Sequence, residues 1–73
     1  MINNVERFRK ELGLTQEQLA KEAGVSRLTI ITIESGHYKD LKASTMSGIA
    51  RALNKSIDDC FLMPSASSAL NKN

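Results

Sequence analysis

The stretch LTQEQLAKEAGVSRLTIITIESG, running from Leu14 to Gly36, decides the fold. Thr15 followed three residues on by Gln18 is the pattern of a capping box, in which a hydroxyl and a carboxamide each satisfy an orphaned N–H at a helix start. Leu14 and Leu19 stand at the staple positions either side of that cap. Leu19, Ala20 and Ala23 then supply an inward face, and Gly24 predicts a left-handed stop. The device repeats at once. Ser26 is the N-cap of the next helix, Val25 and Ile30 are its staple, Ile30 and Ile33 form its buried stripe, and Gly36 ends it. Only Ala23-Gly24-Val25-Ser26 separates the two helices. Each is too short to be stable by itself, so both need a surrounding core.

Working outward, Val5, Phe8 and Leu12 fall at i, i+3 and i+7, one face of a helix that Asn3 or Asn4 can cap and Gly13 ends. Beyond Gly36 the polar run His37-Tyr38-Lys39-Asp40-Leu41-Lys42 reads as a loop. Met46, Ile49, Ala50 and Leu53 resume the helical spacing, although Gly48 within that helix is unfavourable by about 1 kcal/mol relative to Ala. A short last helix is expected, with Ser56 as its cap, Asp58 and Asp59 at the positive end of its dipole, and Ile57, Phe61 and Leu62 facing in. The residues from Cys60 to Met63 carry the alternative of an extended edge. The expected class is all-α, a compact five-helix domain over residues 1–63, followed by a short polar tail over 64–73.

At 73 residues the chain predicts a single domain whose modest core is only marginally stable alone. Hydrophobic residues at 41% and charged residues at 25% describe a globular domain rather than a disordered one. Ten Lys and Arg against eight Asp and Glu give a formal charge of +2, which permits a nucleic-acid partner without requiring one. Phe8, Tyr38 and Phe61 are too few and too scattered to stack single-stranded bases. Cys60 is the single cysteine, read as a small packed side chain, so no intramolecular disulfide or cysteine-rich metal site is expected. No nucleophile–base pair, carboxylate dyad or metal-ligand cluster is visible, and the reading is of a protein that is not an enzyme and uses no cofactor, metal or small-molecule ligand. The absence of an apolar run near ~20 residues and of a signal segment predicts a cytoplasmic protein with no membrane partner.

Two capped, stapled helices joined by a short glycine corner have the form of a helix-turn-helix. The run from Leu14 to Gly36 strongly resembles the core of the Cro/CI-type family, the phage-repressor and XRE-like bacterial regulators. The likeness rests on the Thr-Gln pair opening the first of the two helices, the Ala-Gly-Val-Ser turn, the Ile-x-x-Ile-Glu-x-Gly closure, and the Ile-Ala-x-Ala-Leu of the fourth helix. It reaches from Val5 to Phe61, about four-fifths of the chain. The resemblance implies a lambda-repressor-like fold and a regulator of transcription, a repressor binding a palindromic operator in double-stranded DNA as a homodimer.

In such architectures the second helix of the motif lies in the major groove. With Ile30 and Ile33 inward, a period of about 100° per residue turns Leu28, Thr32 and Ser35 outward and leaves Arg27, Thr29 and Ile31 on the flanks. The resemblance places Arg27, Leu28 and Thr32 at base-reading positions, where Arg27 suits guanine O6 and N7, and Leu28 and the Thr32 methyl suit thymine C5-methyl groups. It places Gln16 at a phosphate-contacting position, helped by the free N–H groups of a helix start. Ser26 and Thr29 add hydroxyls, and Tyr38, Lys39 and Lys42 fall in the loop that touches the DNA backbone. Arg9 and Glu34 match a partly buried salt bridge between the first helix and the recognition helix. Ile57, Phe61, Leu62 and Met63 are the expected dimer surface.

Two departures stand out. Leu28 and Ile31 put large apolar groups on the face meant for a polar groove, and the segment from Gly36 to Thr45 is one residue longer than usual, with Leu41 where a proline normally stands. The same domain also serves antitoxins and restriction–modification controllers. Leu28 and Ile31 favour a third alternative, a protein-interaction module that does not bind DNA.

Overall fold

The computed structural model describes residues 3–61. Five helices follow in order: α1, Val5–Glu11; α2, Gln16–Ala23; α3, Arg27–Ser35; α4, Ala43–Leu53; and α5, Ile57–Phe61. All regular structure among the described residues is helical. The expected class is therefore the observed one, and Cys60 and Phe61 end a helix instead of forming an extended edge. The domain limit at residue 63 and the tail over 64–73 lie outside the described residues.

The caps form as their residue types dictate. Thr15 Oγ1 accepts from the Gln18 N–H at 3.0 Å while Gln18 Oε1 accepts from the Thr15 N–H at 2.8 Å. Ser26 Oγ accepts from the Thr29 N–H at 3.1 Å, and Ser56 Oγ from the Asp59 N–H at 3.0 Å. Gly24 and Gly36 close α2 and α3 in the left-handed conformation, with φ of 75° and 80°. Asn54 does the same for α4 at φ 59°, which fits the tolerance of asparagine for that region.

The core gathers Val5 and Phe8 from α1, Leu19, Ala20 and Ala23 from α2, Ile30 and Ile33 from α3, Ile49, Ala50 and Leu53 from α4, and Cys60 and Phe61 from α5. The helix α2 sits centrally, packed on both α3 and α4. Its contact with α4 explains Gly48. A Cβ built there would stand 2.6 Å from the backbone oxygen of Ala23. The glycine lets two helix backbones touch, and the propensity loss noted in the sequence is offset by that packing.

Two expectations about apolar residues need correction. Leu12 is 49% exposed and not part of the α1 stripe. The helix ends one residue earlier, Gly13 turns the chain at φ 71°, and the place on the inner face goes to Arg9, only 8% exposed. Phe61 is 2% exposed. It plugs the core of its own chain and has no area left to offer a dimer partner. Ile57 is half-buried against the core, and Leu62 and Met63 lie outside the described residues. Cys60 is fully buried; burial first, and then the charge of Asp59, pushes its thiol up to about 11, so it stays a protonated packing group at neutral pH.

Gly48→Ala tests the α2–α4 contact. Helix propensity alone would stabilise the variant by about 1 kcal/mol, whereas overpacking typically costs about 1–3 kcal/mol. The carbonyl it meets is backbone and cannot rotate away. A net destabilisation is expected in urea melts, and an unchanged or raised midpoint would show that the helices separate freely.

Candidate nucleic-acid interface

The helix α3 carries apolar groups on both of its sides. Its inner stripe, Ile30 and Ile33, is completely buried, while Leu28 is 69% and Ile31 is 37% exposed. Arg27 and Ser35 are exposed and Thr32 is half-buried. Among the described residues the Arg27 side chain makes no ion pair or hydrogen bond with the rest of the chain. A guanidinium on the first turn of this helix is thus uncommitted.

The helix is held by polar contacts as well as by its stripe. Arg9 Nε donates to Glu34 Oε2 at 2.6 Å, and Arg9 Nη2 donates to Glu34 Oε1 at 3.1 Å, a fork-to-fork geometry. Arg9 Nη1 donates to the Leu14 carbonyl at 2.8 Å. Gln16 Nε2 donates to Glu34 Oε1 at 3.0 Å. The side chains of the pair are 10% and 5% exposed. The hydrogen bond to Glu34 raises the Arg9 pKa above its ordinary value even though burial works in the other direction. This pair holds α1 against α3, and Gln16 brings the start of α2 into the same network.

The sequence-derived backbone contacts fall at three places around α3. Gln16 lies at the N-terminus of α2, where Arg9, Thr15, Gln16, Glu17 and Arg27 line a shallow open pocket. One carboxamide N–H of Gln16 is engaged by Glu34, which leaves the second free to point elsewhere. Ser26 and Thr29 share a hydrogen bond between their hydroxyls at 2.9 Å, so a single hydroxyl proton of the two remains available. Tyr38, Lys39 and Lys42 border a groove whose other wall is Leu28, Thr29, Thr32 and Ile33 of α3. Lys39 and Lys42 are exposed and Tyr38 is half-buried. Lys42 also occupies the N-cap of α4 with no side-chain cap bond, a position where serine or aspartate would stabilise the helix by about 1 kcal/mol.

Asn3 does more than cap, and Asn4, which stands at the N-cap of α1 without a side-chain cap bond, serves α5 instead. Asn3 Oδ1 accepts from the Val5 N–H at 3.0 Å, and its Nδ2 reaches the Ile33 carbonyl of α3 at 2.8 Å. The Asn4 N–H donates to the Cys60 carbonyl at 2.8 Å, and its Nδ2 to the Asp59 carbonyl at 2.9 Å. Local sequence offered only the cap, because a partner 30 residues away leaves no signature in spacing.

Residues 5–60 match the family model described as helix-turn-helix. The chain belongs to the helix-turn-helix family. It is of the XRE-like, Cro/CI type, a family of DNA-binding transcription regulators. An uncharacterized HTH-type transcriptional regulator of Methanothermobacter thermautotrophicus is 47% identical over 60 residues, covering 81% of this chain and 86% of that protein. Among solved structures, a point mutant of the restriction–modification controller protein C.Esp1396I is 28% identical, with a TM-score of 0.65 over 94% of this helix-turn-helix chain and 87% of that one. The biofilm master regulator SinR, solved in complex with DNA, has the same fold at 24% identity, with a TM-score of 0.68 over 73% of this chain and 84% of that one.

Removing one partner of a buried pair strands the other. Glu34→Ala is expected to destabilise the helix-turn-helix domain by about 3–5 kcal/mol, and a joint Arg9→Met, Glu34→Leu replacement by far less than the two single changes summed. Denaturant melts decide. A loss below about 1 kcal/mol for Glu34→Ala would mean the pair contributes no more than a surface pair.

Proposed function

We propose that the protein is a transcriptional repressor, not an enzyme, that binds a palindromic operator as a homodimer with residues 26–35 in the major groove. The observation that carries this reading is the state of α3: Ile30, Ile33 and Glu34 lock its inner side, while Arg27 and Leu28 stand exposed on its first turn. In this architecture the N-terminal residues of the second motif helix reach base edges.

Arg27, Leu28 and Thr32 are the proposed base readers. The guanidinium offers a bidentate pair to guanine, and the two apolar groups offer contact to thymine methyls. Gln16, Ser26, Thr29, Tyr38, Lys39 and Lys42 are the proposed backbone contacts, which set register without carrying sequence information. The placement of Lys42 supports this: a cation at a helix N-terminus is disfavoured by the helix dipole, and a nearby phosphate would reverse that. One recognition helix reads few base pairs, so a two-fold pair of protomers binding half-sites about 34 Å apart supplies the specificity. Ile57 is the part of the proposed dimer surface that lies within the described residues, with Leu62 and Met63 beyond them.

The likeness to a restriction–modification controller favours that role as a second reading of the same DNA-binding surface. The exposure of Leu28 and Ile31 favours a protein-interaction module instead.

Selection from a random duplex pool tests the proposal. Enrichment of a two-fold symmetric site is expected, with affinity falling steeply with salt and Arg27→Ala losing about 1–3 kcal/mol at one position of each half-site. A pool that yields no symmetric sequence would reject it.

A further inference from the structure

We propose that Asn3 is a positioning residue for DNA recognition: with Asn4 it forms a splint that ties the carboxyl end of α3 to the carboxyl end of α5. The proposal rests on α3 being the DNA-reading helix.

The last four carbonyls of a helix have no partner within it and must find one elsewhere or meet water. The Ile33 carbonyl is one of these in α3. It accepts from the Gly36 N–H at 3.0 Å and from Asn3 Nδ2 at 2.8 Å. The other end of that carboxamide is fixed too, because Asn3 Oδ1 accepts from the Val5 N–H at 3.0 Å. A side chain bound at both ends cannot rotate without breaking one bond. Its neighbour repeats the pattern on α5, where the Asn4 N–H and Nδ2 hold the Cys60 and Asp59 carbonyls at 2.8 and 2.9 Å.

The two residues thus join separate elements through consecutive positions of the chain. The residue after Ile33, Glu34, is tethered through its side chain to Arg9 and Gln16, whereas the Ser26 cap bonds only within α3 itself. Asn3 adds a hold on the backbone of the same last turn as Glu34, beside Thr32 and Ser35. A nine-residue helix is a stiff rod, so two holds on its last turn, together with the burial of Ile30 and Ile33, set its axis and its rotation. Base readout depends on that setting, because a bidentate contact tolerates little misalignment.

Asn3→Asp isolates the role. The aspartate keeps the acceptor for the Val5 N–H, so α1 retains its start. It loses the donor to Ile33 and sets a negative charge beside the negative end of the α3 dipole. Asn3→Ala removes both bonds and serves as the second variant. Two measurements are made at a temperature where both variants are folded. The first is amide hydrogen exchange at Gly36, whose N–H shares the Ile33 carbonyl. The second is the ratio of affinity for the selected duplex to affinity for a random duplex at low salt.

Faster exchange at Gly36 and a fall of about tenfold in the specificity ratio are expected in both variants, roughly the discrimination of one well-made base contact. Random-duplex affinity should hold in Asn3→Ala, since phosphate contacts do not need so strict an angle, and the added charge of Asn3→Asp should lower affinity for both duplexes alike. An unchanged ratio in folded Asn3→Asp and Asn3→Ala would overturn the proposal, as would unchanged exchange at Gly36. Failure of the wild-type chain to prefer any duplex would instead reject the DNA-reading role of α3, and the exchange measurement would still judge the splint.

Discussion

A guanidinium and a carboxylate buried against each other fix where the third helix can point. Taking either charge out of water carries a desolvation penalty of several kcal/mol. Arg9 and Glu34 offset it with a two-pronged contact, and the Leu14 carbonyl and the Gln16 carboxamide use further donor and acceptor capacity. No buried polar side-chain atom among the described residues is left without a partner. Apolar packing is non-directional, and Ile30 and Ile33 alone would let α3 roll about its axis. The fork opposes that roll from the Glu34 side chain, and the Asn3 bond to the Ile33 carbonyl opposes it from the backbone. The two exposed pairs on α1, Arg7 with Glu11 and Lys10 with Glu6, have no such consequence, since pairs of that kind contribute a few tenths of a kcal/mol.

The remaining structure serves that placement within a small core. A domain of this size has little apolar area to bury, and the chain concentrates it at close contacts. Gly48 lets α4 lie directly on the Ala23 backbone. Phe61 and Cys60 close the far side. The Phe8 ring, itself in the core, is approached by Arg7 and by Lys55, each 4.7 Å from its centre. Cations near an aromatic face add a modest electrostatic attraction where α1 meets the segment before α5.

Much of this was legible from local pattern. The capping box at Thr15, the cap at Ser26, the two glycine stops and the Ile30–Ile33 stripe are signals within four or five residues, and each formed as read. The Arg9–Glu34 pair was implied by family resemblance and is present. What escaped the sequence was long-range. Leu12 satisfies helical spacing yet lies past the end of its helix, where spacing no longer decides burial. By sequence Phe61 suits both an inward-facing place and a dimer surface, and only three-dimensional packing shows that the core takes it. Gly48 reads locally as a defect, because its reason is the backbone of another helix. Asn3 reads locally as a cap alone, because its second partner, Ile33, is distant in the chain.

Which surface meets DNA decides how all of these contacts are used. Titration of isotope-labelled protein with the selected duplex, followed by amide and side-chain NMR shifts, addresses this residue by residue. The largest changes are expected at Arg27, Leu28 and Thr32, with further changes at Gln16 and Lys42 and little at Glu6, Lys10 and Lys55. Shifts concentrated on α1 and the Lys55 region, with α3 unmoved, would contradict a DNA-reading α3.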